Sequence, residues 1–422
     1  MSDIRPFRGY RPHPDHVKAI ASPPYDVLDS DEARQMAQDN PLSFLRVVKA
    51  EIDFAPGISL YSNEVYERSA ENLRTLIRDG NLVRDAADAF YVYQLRMGDH
   101  VQRGLVCGTS VQEYENGLIK KHEFTRREKE DDRARHVETL MANAGPVLLT
   151  YRASAEVDAL VDGICSDAPV VDFTADDGIG HSLWVVSDVD LVAKIRNAFE
   201  GVEALYIADG HHRSASAFRV RNSLRSQNPG HTGEELYNHF LAVVFPDTQL
   251  RIMAYNRVVT DLNGLTSEGL LAAIAQRFDV APADVADPPA PKQFGVFLDG
   301  AWYRLTAKAG TYPAGDPVKS LDVAILQDNL LAPILGIEDP RTDRRIDFVG
   351  GIRGTRELER RCAGDMEIGF ALYPTGVDQL MAIADAGEVM PPKSTWFEPK
   401  LRSGVVVRSL EDAKAQEEKH TC

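Results

Sequence analysis

The chain predicts an α+β fold, mixed sheets packed with helices, and three observations lead there. Residues 202–219, VEALYIADGHHRSASAFR, run as an apolar strand, break at Asp209-Gly210 and resume with helical spacing. Strand-like and helix-like segments are interspersed along the 422 residues without strict strand–helix–strand alternation. No internal repeat or solenoid period is present. This length exceeds one simple core, so two or three domains of roughly 100–200 residues are expected. The expected division is a core over 1–280 with insertions, a linker or excursion over 281–293, a C-terminal α/β domain over 294–410 and a frayed tail over 411–422.

Taken in order, the elements are as follows. Prolines 6, 12, 14, 23 and 24 stiffen the first 25 residues, because proline fixes φ and restricts its predecessor. SDEARQMAQD, 30–39, reads as a short helix capped by Ser30, and NPLSFLRVVKAEI continues as a strand. SLYSNEVYERSAENLRTLIRDG is a helix ended by Gly80. AFYVYQLRM and VQRGLVCGTSVQEY alternate as paired strands. Residues 118–144 begin as a strand, and Thr125 with Glu128 forms a capping box for a helix that runs to about Ala144. PVLLTYR is a strand, and a strand–helix unit at 170–200 leads into the DGHHR strand. NHFLAVVFP and RIMAYNRVV follow as strands. Beyond the Pro-, Ala- and Asp-rich APADVADPPAPKQ come strands FGVFLDG and AWYRLTA and a helix near 320–332. Strand RIDFVGG, helix TRELERRC, strand EIGFALYP and helix GVDQLMAIADAG complete the set. That last helix carries Val377, Leu380, Met381 and Ala384 on one face.

Composition narrows the partners. Sixty-four acidic against 47 basic residues leave a net charge of −17. The phosphate backbone repels such a surface, so extended nucleic-acid binding is not expected, although a local basic pocket for a small anion is compatible. The four cysteines, Cys107, Cys165, Cys362 and Cys422, form no CxxC pattern and read as reduced thiols of a cytoplasmic protein. The N-terminus has no apolar signal region, and no run reaches the ~18 apolar residues of a membrane span.

The DGHHR stretch is where chemistry concentrates. Gly210 permits a tight turn, and His211–Ser214 would form a first helical turn whose free N–H groups and dipole suit an anion. Arg213 offers a planar fork for phosphate oxygens, His211 and His212 add donors, and Asp209 is left as a metal or hydroxyl partner. The same residues could instead be an ordinary polar cap on a strand–turn–helix. Zinc is a weaker reading: adjacent histidines diverge on a helix, HExxH is absent, and a third ligand would have to come from His122 or Glu123. Glu123 stands before a helix as a candidate general base. Asp26, on the rigid SPPYDV, could hold Mg2+ or a substrate amine. Lys393, Ser394 and Thr395 in MPPKSTWFEPK suit a triphosphate or Mg2+, though no P-loop is present; the alternative is a stiff turn whose Trp396 and Phe397 pack inside.

ADGHHRSASA resembles the signature of the ParB/sulfiredoxin-like superfamily, in which a strand leads into G-x-x-R at a helix start. The form with an aspartate and two histidines looks most like the free serine kinases of that superfamily. The landmarks SPPYDV, NPLSFLRV, HEFTRREKEDDR, DGHHR and MPPKSTWFEPK, in that order over residues 22–400, resemble the ten-fifteen family of unknown function. Glu123, Thr125, Asp132 and Arg133 match that family's pattern, whereas RREKEDDR replaces a stretch that is Pro- and Lys-rich in relatives. The resemblance implies a ParB/sulfiredoxin-like core around DGHHR and a kinase that passes phosphate from ATP or ADP, with Mg2+, to a small hydroxylated metabolite, free L-serine above all. It places nucleotide on Asp209, Gly210, His211, His212 and Arg213, with Lys393, Ser394, Thr395 or Arg46 against the phosphates and Asp209 on the metal. Glu123, Asp26 and His212 are then the expected catalytic residues. A nucleotide-binding regulator without turnover and a metal-dependent hydrolase stand as alternatives.

Overall fold

In a computed structural model, which describes residues 2–411, the chain divides into two compact units. One comprises Met1–Leu250 with the segment from Pro399, the other Arg251–Glu398. The α+β class expected from the sequence is what is found. In the first unit the apolar runs Leu205–Asp209, Val147–Tyr151 and His239–Pro246 lie side by side. Val147–Tyr151 is buried at every position, as in a strand covered on both faces. The sheet continues through His100–Ser110, Phe90–Met97, Gly180–Val186 and Val171–Thr174, with Ile119–Lys120 beyond Leu205–Asp209 and Ile4–Arg5 against His100–Ser110. Leu205–Asp209 runs parallel to Ile119–Lys120, and His239–Pro246 parallel to Val147–Tyr151; the other pairings are antiparallel. Its core includes Phe90, Leu149, Phe199, Leu205, Ile207 and Phe240. A smaller core gathers Phe44, Leu45, Leu73, Leu76 and Val407.

Helices Arg127–Leu140 and His211–Gln227 pack on one another through Ala134, Val137, Val220 and Leu224. Arg219 on the second helix pairs with Glu130 and Asp131 on the first. After Pro399 the chain rejoins this unit: Ser403 bridges Ser22, Val407 bridges Tyr10, and Arg408–Ser409 pairs with Ala142–Asn143.

The second unit is a six-stranded antiparallel sheet in the order Phe278–Pro282, Ala301–Ala307, Gln293–Leu298, Ile368–Leu372, Tyr255–Val259, Ile346–Gly350. Helix Val377–Asp385 buries Leu380, Met381 and Ala384 of the face its spacing predicts, and Ile383 besides, while Val377 is half-buried. Residues 281–293 lie wholly within this unit. They form an excursion from the edge strand, and the Ala286 carbonyl lies so close to Gly295 that a Cβ there has no room. The boundaries of the units thus fall after Leu250 and after Glu398, instead of at 281–293, because residues 251–280 supply two strands of the second sheet. Of the expected tail, residues 412–422 lie outside the described residues.

Local readings differ in three places. NPLSFLRVV is helix Leu45–Val48 followed by a 3-10 turn, and Phe44, Leu45 and Val47 are buried in the smaller core. The cap of Ser30–Ala37 is Asp29, whose carboxylate accepts from Asp31 and Glu32 N–H while Glu32 reciprocates. No side chain caps Arg127–Leu140; Thr125 donates instead to Glu130. Among the described residues no helix is long and apolar enough to cross a membrane.

Two buried rings make this unit acid-sensitive. His136 accepts or donates between Ser69 Oγ at 3.0 Å and the Val47 carbonyl at 3.1 Å. His181 is stacked between Tyr93 and Phe173. Burial, reinforced by Arg133 beside one ring and Arg402 beside the other, lowers their pKa to about 4 and about 3. Both are therefore neutral when folded, whereas in the unfolded chain they protonate near pH 6.5. The unfolded state binds the extra protons, so stability should fall as pH drops from about 6.5 to about 4, by on the order of 3 kcal/mol per ring. Urea midpoints measured across that range should decline. A flat midpoint from pH 7 to 5 would show that neither ring opposes protonation.

Candidate active site

Strand Leu205–Asp209 delivers the chain to Gly210, which adopts φ +101°, and helix His211–Gln227 starts at the next residue. A Cβ at Gly210 would stand 3.4 Å from Val147 Cα and from Arg213 Nε, so the turn is both left-handed and close-packed. Glycine at the N-cap offers no side chain, and none hydrogen-bonds the first turn. Strand, turn and helix start therefore lie where the sequence placed them.

Arg213 is the pivot. Its side chain is 12% exposed, and one terminal nitrogen contacts both Asp26 at 3.3 Å and Asp209 at 3.4 Å. The other donates to the Pro146 carbonyl, and Nε is buried without a hydrogen-bond partner. Burial works against the guanidinium charge, but Asp26 and Asp209, with Tyr25 alongside, hold its pKa above the ordinary arginine range. Asp209 experiences the converse: burial would raise its pKa, and Lys400 and Arg213 hold it lower. The fork read from sequence as waiting for phosphate is thus already shared by two carboxylates, each about a third exposed.

The two histidines do something the sequence did not suggest. His211 Nε2 accepts the backbone N–H of His122 at 3.4 Å, and His212 Nε2 accepts that of Arg126 at 3.1 Å. They clamp the segment His122–Arg126 onto the helix start. Glu123 is thereby brought to 3.8 Å from His211 Nδ1, with its side chain 48% exposed. His122 packs edge-on against His211, ring centroids 4.4 Å apart, and neither of its ring nitrogens is hydrogen-bonded. Burial drives both rings towards the neutral form: His122 to about 4, although Asp209 and the facing Ile207 carbonyl favour its charge, and His211 well below its usual value.

Next to Arg213 a small open cavity is lined by Tyr25, Arg133, His136, Asn143, Arg213 and Ser216, among others. Tyr25 lies under two guanidiniums, that of Arg133 at 4.1 Å and that of Arg213 at 5.9 Å from its centroid. Arg133 is in turn held by Asp132, which also accepts from Tyr66 at 2.7 Å.

Asp26, Glu123, Asp209, Gly210, His211, His212 and Arg213 are therefore brought together. Arg46 is engaged otherwise: its guanidinium pairs with Asp53 and donates to the Ala37 and Asn40 carbonyls, which secures the helical segment that replaced the expected strand. Lys393, Ser394 and Thr395 belong to the second unit. There Lys393 has φ +58° and its ammonium lies 5.5 Å from the Tyr255 ring. Ser394 donates to the Pro391 carbonyl, and Trp396–Phe397 pairs with Ile252–Met253. This is the stiff turn with packed aromatics that stood as the alternative. Lys400, at the end of the same MPPKSTWFEPK landmark, acts on Asp209 together with Arg213. Its position in the landmark is the one sequence signal for it, and for Tyr25 the signal is its place next to Asp26.

The sequence profile of the family described as Protein of unknown function (DUF1015) matches residues 4–324. No curated protein matches the chain. Among solved structures, a free serine kinase in complex with AMP aligns with a TM-score of 0.34 at 12% identity, over 70% of this chain and 86% of that one. SbnI with C-terminal truncation from Staphylococcus aureus aligns with a TM-score of 0.38 at 12% identity, over 75% and 94%. A conserved hypothetical protein from Pyrococcus furiosus aligns with a TM-score of 0.34 at 13% identity, over 72% and 95%.

The geometry of the turn gives a direct test. Gly210→Ala forces a Cβ into a left-handed position, at a cost of about 1–2 kcal/mol or more. It should lower the urea midpoint accordingly. An unchanged midpoint would mean that the turn relaxes freely, and that Gly210 does not hold Arg213 and Val147 in place.

Proposed function

We propose, from the premise that the chain belongs to the DUF1015 family, that it is a small-molecule kinase, passing a phosphoryl group from ATP or ADP to a hydroxyl acceptor. Free L-serine is the acceptor to which the motif resemblance points. One observation carries the reading: an uncapped helix start gathers a buried arginine and three partly exposed carboxylates, Asp26, Asp209 and Glu123, from three separate segments. Phosphoryl transfer asks a protein mainly for positioning and charge neutralisation, and such a cluster supplies both.

In this reading the nucleotide phosphates meet the N–H groups of the first turn, with Arg213 and Lys400 adding positive charge. Asp26 and Asp209 form an all-oxygen, hard donor set that fits Mg2+. They are the residues that would hold it, and when bound it would offset phosphate charge. Glu123 takes the proton of the acceptor hydroxyl as the hydroxyl oxygen bonds to phosphorus and the nucleotide leaves with one phosphate fewer. His211 and His212 keep the Glu123 segment docked, so His212 serves as a positioning residue in place of a proton-transfer group.

The test is nucleotide turnover with Mg2+ and a panel of amino acids and other small hydroxylated compounds. Product nucleotide should form in an acceptor-dependent way, with serine among the responders. Glu123→Gln should bind nucleotide like the parent but transfer about 10²-fold or more slowly. Turnover that no acceptor accelerates would reject the kinase in favour of a nucleotide-binding regulator, and full activity in Glu123→Gln would move the base to Asp26.

A further inference from the structure

His122, Glu123 and His211 each present one ligand atom within 4.8 Å of the other two. Two imidazoles and a carboxylate are a donor set for a borderline ion such as Zn2+, unlike the all-oxygen pair Asp26 and Asp209. The second observation is His122 itself. The residue is 2% exposed, and neither buried ring nitrogen makes a well-formed hydrogen bond, only the Ile207 carbonyl facing the ring. A buried polar atom left in that state costs free energy, so a ring held this way beside a second histidine needs an explanation. His211 Nδ1 and Glu123 Oε2 are 3.8 Å apart. Donors about 2.0–2.1 Å from a tetrahedral ion lie ~3.4 Å from one another, within reach of a small rotation of the half-exposed Glu123. The His122 N–H to His211 Nε2 contact, at 3.4 Å, is at the outer limit of a hydrogen bond. With the ion on Nδ1 the proton sits on Nε2, so this long contact is given up on binding and the ion itself joins His211 to the His122–Glu123 segment.

We propose that His122, Glu123 and His211 form a site for a divalent transition ion, with Zn2+ the type case, distinct in chemistry from the Mg2+ of the kinase reading. Occupancy draws the Glu123 carboxylate onto the ion, so it can no longer accept the acceptor's proton. The site stands on the geometry alone; the inhibition rests on the kinase reading.

Titration of the untagged full chain with Co2+ tests the site. One ion per chain should bind with visible ligand-field absorption, Zn2+ should displace it, and excess Mg2+ should not. His211→Ala also removes the clamp and can disturb the fold. The deciding variant is therefore His122→Phe, which keeps the ring volume and the backbone N–H; circular dichroism checks its fold. It should weaken Co2+ binding ~10-fold or more. No absorption band, or unchanged affinity in a folded His122→Phe, overturns the site. In the turnover assay Zn2+ should suppress acceptor-dependent product over the concentrations at which it displaces Co2+, and Zn2+ binding without suppression overturns the inhibition. Should the chain show no transfer at all, the kinase reading and the inhibition fail together, and the Co2+ titration still decides the site.

Discussion

A buried guanidinium needs hydrogen-bond partners, and Arg213 finds carboxylates from two places. Asp209 comes from one turn earlier in the chain, Asp26 from 187 residues away. The pairing ties the proline-stiffened N-terminal segment to the strand–helix turn, and the Pro146 carbonyl fixes the third side. Breaking a buried pair by removing one partner typically costs several kcal/mol, because the remaining charges stay desolvated. Arg213 is thus as much a fastener as a ligand group. Any anion that binds here meets an arginine already engaged with Asp26, Asp209 and the Pro146 carbonyl.

The same turn fastens a second segment by weaker means. Neutral imidazoles at His211 and His212 accept backbone N–H groups from His122 and Arg126. Burial keeps both rings from charging, and a protonated ring could not accept those bonds. Burial of the histidines and docking of the Glu123 segment are therefore one property. A helix start that would otherwise be a bare strand–helix junction becomes a place where three distant pieces of chain present carboxylates together.

Around it, positive groups are arranged in layers. Tyr25 separates Arg213 from Arg133, and Asp132 balances Arg133 while engaging Tyr66. Lys400 arrives from the segment that follows the second unit. In the second unit the buried Arg257 has no carboxylate; it donates to the Tyr255 and Lys393 carbonyls, and burial lowers its pKa to about 10. That arginine contacts the Lys393 turn through its backbone.

What could be read from residues alone was whatever depends on near neighbours. The apolar run into Asp209-Gly210 specified strand, left-handed turn and helix start, because glycine's freedom and a helix's free N–H groups are local facts. The spacing of Leu380, Met381 and Ala384 specified a buried face for the same reason. Capping was less legible: Asp29 rather than Ser30, and Thr125 turned to Glu130, since several oxygens near a helix start compete for the same N–H groups. Only the tertiary structure decided which charges meet. Leu45–Val48 is helical where its local pattern read as a strand, and Arg46 on that helix is taken up by Asp53. Arg213 finds Asp26, and Lys400 rather than Lys393 acts on Asp209, because ion pairing follows distance in space, and a chain that leaves a unit at Leu250 and returns at Pro399 leaves no mark of that return in its local pattern.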